Sequence, residues 1–224
     1  MKRSAWVVCA VWACVLLLSS VSVAAEKVSV NPVDGKPFRT VYPTMVMIVG
    51  TYCENGKADM SLIDLGGPLS SKPHRVGVGI RNTRATYANI MAKRAFTVNL
   101  PSKNFASEAD YVGHHSMKKE PNLDKFAVTG LTPVRAETVD APVVKEYPVT
   151  MECELERSLD LGSHTLFIGL VKKISINKDV LNPETGRIAP EKFNPLLYNR
   201  NARQYYSLSE PLGAPGEVAD RKFK

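Results

Sequence analysis

Residues 44–63 read TMVMIVGTYCENGKADMSLI. The first part, Thr44 to Tyr52, is a near-continuous apolar run of strand length, and Glu54-Asn55-Gly56-Lys57 behind it is a strong turn signal, because Asn-Gly tolerates the positive φ angles of a tight hairpin. Ala58 to Ile63 then returns as a second strand. Further along, Arg75 to Ile80 (RVGVGI) reads as a third, in which the repeated glycines suggest close approach by backbone or ligand. Thr86 to Arg94 places Tyr87, Ile90 and Met91 at i, i+3 and i+4, an amphipathic helix with basic residues in its last turn. Ala95 to Leu100 alternates as a strand until Pro101 stops it. Ser102 to Pro121 is polar and reads as a long surface excursion with a short helix in 105–111, the kind of segment that often carries function. Val149–Glu156 and Thr165–Ile176 are two more strands, and Tyr198, Tyr205 and Tyr206 are spaced to fold the tail back across the body. There is no internal repeat and no interior linker. Periodicity therefore supports one domain, mainly antiparallel β with a few helices.

Composition agrees. The 224 residues are 44% hydrophobic and 23% charged, a profile that excludes disorder, collagen and coiled coil. The net charge of +7 invites a nucleic-acid reading. Two of those charges, however, are Lys2 and Arg3, directly before the apolar stretch Ala5 to Leu18. That stretch is too short to span a bilayer, which takes about 20 helical residues, but suits the apolar region of a signal peptide. Val23 and Ala25 fit the small-residue positions of a cleavage site before Glu26. Residues 1–25 are therefore expected to be a cleaved export signal and 26–224 the mature domain, acting in the bacterial periplasm or outside, with no stable membrane insertion after cleavage. The remaining basic residues are not striped with aromatics, so no nucleic-acid partner is expected.

The same cut removes Cys9 and Cys14 and leaves Cys53 and Cys153, which are either buried small hydrophobes or, in an oxidising compartment, a disulfide. His114-His115 is the one histidine pair, and without C-x-x-C or H-x-x-x-H spacing no metal site is expected. G-x-S-x-G is absent too, so no catalytic nucleophile is expected. The segment Arg81-Asn-Thr-Arg-Ala-Thr86 brings guanidinium groups, hydroxyls and helix N-terminal amides into one turn. Those are the groups that hold a phosphate, although a solvated helix start capped by Thr83 would look the same.

In their order, these segments resemble a known family. The series Thr44-Met-Val-Met-Ile-Val-Gly-Thr, Asn55-Gly-Lys-Ala-Asp-Met-Ser, Arg75-Val-Gly-Val-Gly-Ile-Arg-Asn-Thr-Arg-Ala-Thr-Tyr and Phe96-Thr-Val-Asn-Leu-Pro resembles the flavin reductase-like FMN-binding split-barrel family. Leu123-Asp-Lys-Phe-Ala-Val-Thr-Gly, Met151-Glu-Cys-Glu-Leu and Gly162-Ser-His-Thr-Leu-Phe-Ile-Gly resemble its flavoredoxin branch, and the match runs from about Pro43 to Gly213.

The resemblance implies a six-stranded antiparallel Greek-key split β-barrel that forms a homodimer and holds FMN noncovalently in a groove near the dimer interface. It implies that Asp59, Met60, Ser61 and Leu62 line the isoalloxazine, largely by backbone contacts, and that Arg81, Arg84 and Thr86 receive the phosphate. His115 and Ser116 fall in the loop that relatives place beside the flavin. Two positions depart from the family pattern: Asp59 stands where relatives usually carry Asn, and Met117 where a Gly normally follows the Ser. A carboxylate beside the flavin would disfavour its anionic reduced form. Combined with export, the resemblance implies an FMN electron-transfer protein or reductase serving a redox protein partner or a small-molecule acceptor. The alternative is a non-redox module that has lost FMN or binds haem or another planar ligand.

Overall fold

The computed structural model describes residues 42–211, together with Lys27. The expected signal segment, residues 1–25, lies outside them. The opening hairpin forms as its sequence suggests. β1 (Thr44–Met45) and β2 (Met47–Tyr52) lead into the turn, and β3 (Ala58–Ile63) returns antiparallel, with Val49 opposite Ser61. At the turn Gly56 adopts φ 80°, the Cys53 amide donates to the Lys57 carbonyl at 2.8 Å, and the Lys57 amide donates to Asn55 Oδ1 at 3.0 Å.

The chain continues through β4 (Gly66–Ser71), β5 (His74–Ile80), α1 (Ala85–Lys93), β6 (Ala95–Leu100), α2 (Ala106–His114), α3 (Lys125–Thr129), β7 (Pro133–Arg135) and β8 (Pro142–Val144). It ends with the long hairpin β9 (Val149–Asp160) and β10 (Thr165–Ile176), then α4 (Pro190–Phe193), β11 (Leu197–Asn199) and β12 (Gln204–Tyr206). The main sheet runs β3-β2-β6-β9-β10-β5-β4, every neighbour antiparallel, and is open between β3 and β4. β11 joins β1 and β12 in a small second sheet.

β2 opens on a run of apolar residues, Met47 to Val49, because both its faces are buried. Met47 and Val49 join one core with Val76, Val78, Phe96, Val98 and Phe167, which Ile90 of α1 covers. Ile48 joins a second core with Met60, Val112, Phe126 and Tyr147, covered by α2 and α3. A continuous run with no alternation is what a strand between two cores requires.

Two details differ from the sequence expectations, and a third decides between alternatives they left open. The sheet has seven strands where the resemblance implies six, and β4, the added edge strand, is written in Gly, Pro and Ser. Such a composition has little intrinsic strand preference, but an edge tolerates Pro68 because one side of it needs no ladder partner. In α1 the buried residues are Thr86, Asn89 and Ile90, while Met91 is 41% exposed. Asn89 turns inward because its Nδ2 donates to Thr51 Oγ1 at 3.0 Å. Finally, the glycines of RVGVGI are approached by the chain itself. A side chain at Gly77 would meet Leu69 and Leu166, and one at Gly79 would meet Leu65, so these glycines let β4 and the segment before it lie close.

Candidate functional site

A groove of about 660 Å³ opens where β3, β5, α2 and the tail come together. Ser61, Leu62 and Ile63 of β3 and Asp64 beyond it form one wall, and Gly79 to Arg81 at the end of β5 form another. Val112 to His115 at the end of α2 cover it, and Tyr198, Arg200, Arg203 and Tyr205 of the β11–β12 hairpin close it. The volume lies in the range of small-molecule sites, about 300–1,000 Å³.

Of the residues singled out in the sequence, Ser61, Leu62, Arg81, Arg84 and His115 come together on this lining. Asp59, Met60, Thr86 and Ser116 lie behind it and are buried. Thr86 is fully buried and its hydroxyl shares a 2.6 Å hydrogen bond with Ser61 Oγ, which ties the start of α1 to β3. Met60 belongs to the second core. The Asp59 carboxylate turns inward to the Lys125 ammonium, 2.9 Å away. Ser116 bends the chain after α2, its carbonyl accepting from the amides of Lys119 and Glu120, each at 2.9 Å.

Electrostatically the groove is positive. Arg81 and Arg84 are exposed and have no carboxylate partner among the described residues. The N-cap of α1 is Arg84 in extended conformation, and no side chain caps the helix. The Thr83 cap considered for this helix start does not form; the Tyr87 amide donates to the Arg84 carbonyl at 3.2 Å, and no side chain caps the Ala85 and Thr86 amides beside the two guanidinium groups. Burial, and then the positive charges of Arg81 and Arg200, hold His164 below the usual histidine range. Arg200 itself is engaged: its Nε donates to Asp64 Oδ2 at 2.8 Å and its Nη2 donates to Oδ1.

His115 is held firmly, with its ring stacked on Tyr111 at 4.1 Å and Nδ1 3.1 Å from Glu120 Oε1. His114 has Nδ1 2.9 Å from the Asp110 carbonyl, and the Tyr205 hydroxyl donates to the Asp110 side chain at 2.9 Å. The two described cysteines are unbonded. Cys153 is packed in the first core, where burial pushes its thiol up to about 12, and Cys53 lies beside Asn89. The sequence reading missed Asp64, His164, Arg200 and Arg203. The tyrosine spacing of the tail was the one available signal, since it marked the segment that carries both arginines.

Taken together, a mainly β open barrel with an anion-receptive groove beside the start of its first helix is the class of protein that this chain represents. Residues 38–209 match the family model described as the flavin reductase like domain, and the chain belongs to that family. It is similar to the flavoredoxin of Desulfovibrio vulgaris (Miyazaki F), with 33% identity, a TM-score of 0.74, and coverage of 80% of this chain and 94% of that one. It is also similar in fold to the flavoredoxin of Methanosarcina acetivorans, at 23% identity and TM-score 0.77 over 88% of this chain and 99% of that one. The FMN-binding protein of Thermus thermophilus shares the fold at 24% identity and TM-score 0.70, over 86% and 100%.

Proposed function

We propose that this chain binds FMN noncovalently in the groove and passes electrons through it. The observation that carries the reading is the pair of unpartnered arginines, Arg81 and Arg84, at the uncapped start of α1, on the same groove as the free edge of β3. Family membership and the likeness to a flavoredoxin at 33% identity support the flavin. The phosphate-receptive turn supports FMN in particular, because a terminal phosphate is the feature that separates FMN from riboflavin.

The donor set fits such a ligand. Arg81, Arg84 and the amides of Ala85 and Thr86 would hold the phosphate. Met60 points its carbonyl to Lys125 and away from β2, so by strand alternation Leu62 presents its amide and carbonyl at the free edge of β3, toward the groove. These groups would orient a planar ring by its polar edge. A bound FMN supplies the one- and two-electron chemistry, while the protein supplies orientation and electrostatics. Val112, Gly113 and Leu62 provide apolar cover against water, and His115, fixed by Tyr111 and Glu120, holds one orientation on the lining.

Residues 1–25 support export by a cleaved signal, and an exported flavoprotein meets redox proteins or small acceptors rather than cytoplasmic NAD(P)H. A homodimer is supported by an exposed apolar strip across the sheet. Leu69 and Leu166 both approach Gly77, and Leu159, 54% exposed, lies opposite Leu166.

The test is the visible spectrum of the purified mature protein before and after titration with FMN. A flavin band that acid denaturation releases as FMN is the expected result. A haem band, or no chromophore after titration, overturns the reading.

A further inference from the structure

Asp59 and Lys125 form an ion pair with both side chains only 2% exposed. Lys125 Nζ lies 2.9 Å from Asp59 Oδ1, yet its well-aligned hydrogen bond goes to the Met60 carbonyl at 2.7 Å, so neither carboxylate oxygen has a properly directed donor. The next cation, Lys57, is committed to the Leu123 carbonyl at 3.0 Å. Burying both charges is costly, and an apolar pair of similar volume commonly serves stability as well or better. Stability is therefore a poor explanation for this pair.

Position offers a better one. Asp59 and Met60 immediately precede Ser61 and Leu62 on β3, and those two line the groove. At about 3.3 Å per strand residue, Asp59 stands roughly 7 Å along β3 from Ser61 of the lining. At such range through protein, an unpaired charge biases any equilibrium that changes the charge in the groove.

We infer that Lys125 is a positioning and charge-compensating residue, which fixes the Met60 carbonyl of β3 and cancels the Asp59 carboxylate so that the groove keeps a reduction potential the carboxylate alone would depress. The inference rests on the proposed flavin site. Two electrons and one proton taken up by oxidised flavin from an external reductant add one negative charge in the groove. A lone Asp59 carboxylate opposes that charge, a lone Lys125 ammonium favours it, and the pair does little of either.

The experiment is a reductive titration against a reference dye of FMN-loaded wild type, Asp59→Asn, Lys125→Met and the double variant, all at one mildly alkaline pH where reduced flavin carries a single added proton. Thermal unfolding of the FMN-free forms is measured alongside. At a fixed poise, Asp59→Asn should raise the ratio of reduced to oxidised flavin about tenfold, Lys125→Met should lower it about tenfold, and the double variant should return to within about twofold of wild type. A loosened strand would instead move both single variants in one direction. Shifts of one sign, or potentials equal to wild type, overturn the inference while leaving the flavin site standing. A wild type that takes up no FMN overturns both. Should Lys125→Met fail to fold, Asp59→Asn compared with the double variant decides, since equal potentials would then overturn it. Lys125→Arg, which keeps the charge, should stay within about twofold of wild type.

Discussion

Arg84 and Arg200 line the same groove, yet among the described residues one meets it with no carboxylate partner and the other is gripped by Asp64 through two hydrogen bonds. The difference is topological. Arg84 is the N-cap of α1, in a segment that leaves β5 and enters the helix without crossing an acidic strand end. Arg200 sits just past β11 and reaches back to Asp64, which follows β3, so its charge fastens the tail hairpin to the body. A count of cations on a groove thus overstates what it can bind. Arg81 and Arg84 are available to an anion, whereas Arg200 is a clamp.

The sharpest way to break this comparison is to remove the available pair. Arg81→Ala with Arg84→Ala should weaken FMN binding about a hundredfold or more, at roughly 1.5–3 kcal/mol for each charge-assisted contact, and leave riboflavin binding nearly unchanged. Isothermal titration with both ligands checks it, and equal losses would mean that the turn does not hold the phosphate. The clamp is tested in the opposite sense. If Arg200 were a ligand waiting behind Asp64, then Asp64→Asn would free it and tighten FMN. The expected outcome is instead a loss of only roughly 1–2 kcal/mol of stability in chemical denaturation, because solvent screens this partly exposed pair, with FMN affinity unchanged or weaker. Thr86→Val removes the 2.6 Å bond to Ser61 that joins the start of α1 to β3, and should cost about 1 kcal/mol of stability with a smaller loss in FMN affinity.

The two arginines also mark where the sequence was legible and where it was not. The hairpin of 44–63, the strands at 95–100 and 165–176 and the helix, expected over 86–94 and found over 85–93, declare themselves through local pattern, as do Arg81 and Arg84, because all of their information lies within a few residues. β4 does not, because an edge strand of Gly, Pro and Ser is held by its partner rather than by propensity. The Asp64–Arg200 and Asp59–Lys125 pairs were invisible for a related reason: their partners lie far apart in the chain, and no local rule pairs an acid with one lysine among many. Asp59 stood out as a departure from the family pattern, but only the fold supplied Lys125. In the same way Met91 fits the helical stripe yet is exposed, because Asn89 has a partner on β2 that periodicity cannot know.

The tail hairpin has a second fastening, and it gives the smallest of these effects. Burial raises the Tyr205 hydroxyl above the ordinary tyrosine value of 10.0, and its hydrogen bond to the negatively charged Asp110 raises it further. With the folded-state value raised, the folded protein keeps this proton when the unfolded chain has begun to lose it. The contribution to stability is therefore complete below about pH 10 and is lost as pH climbs from there toward the folded value. Tyr205→Phe should cost about 0.5–1.5 kcal/mol at neutral pH, less than the loss from Asp64→Asn. The gap between variant and wild type should narrow in denaturation curves taken above pH 10, while a residual alkaline slope remains from Tyr147, which burial also raises. A gap near zero at neutral pH would mean that Tyr205 contributes by packing against Tyr198, which Phe preserves, and not through its bond to Asp110. The Asp64–Arg200 pair would then be the principal polar fastening of the hairpin, and the contrast between clamp and ligand would rest on that arginine.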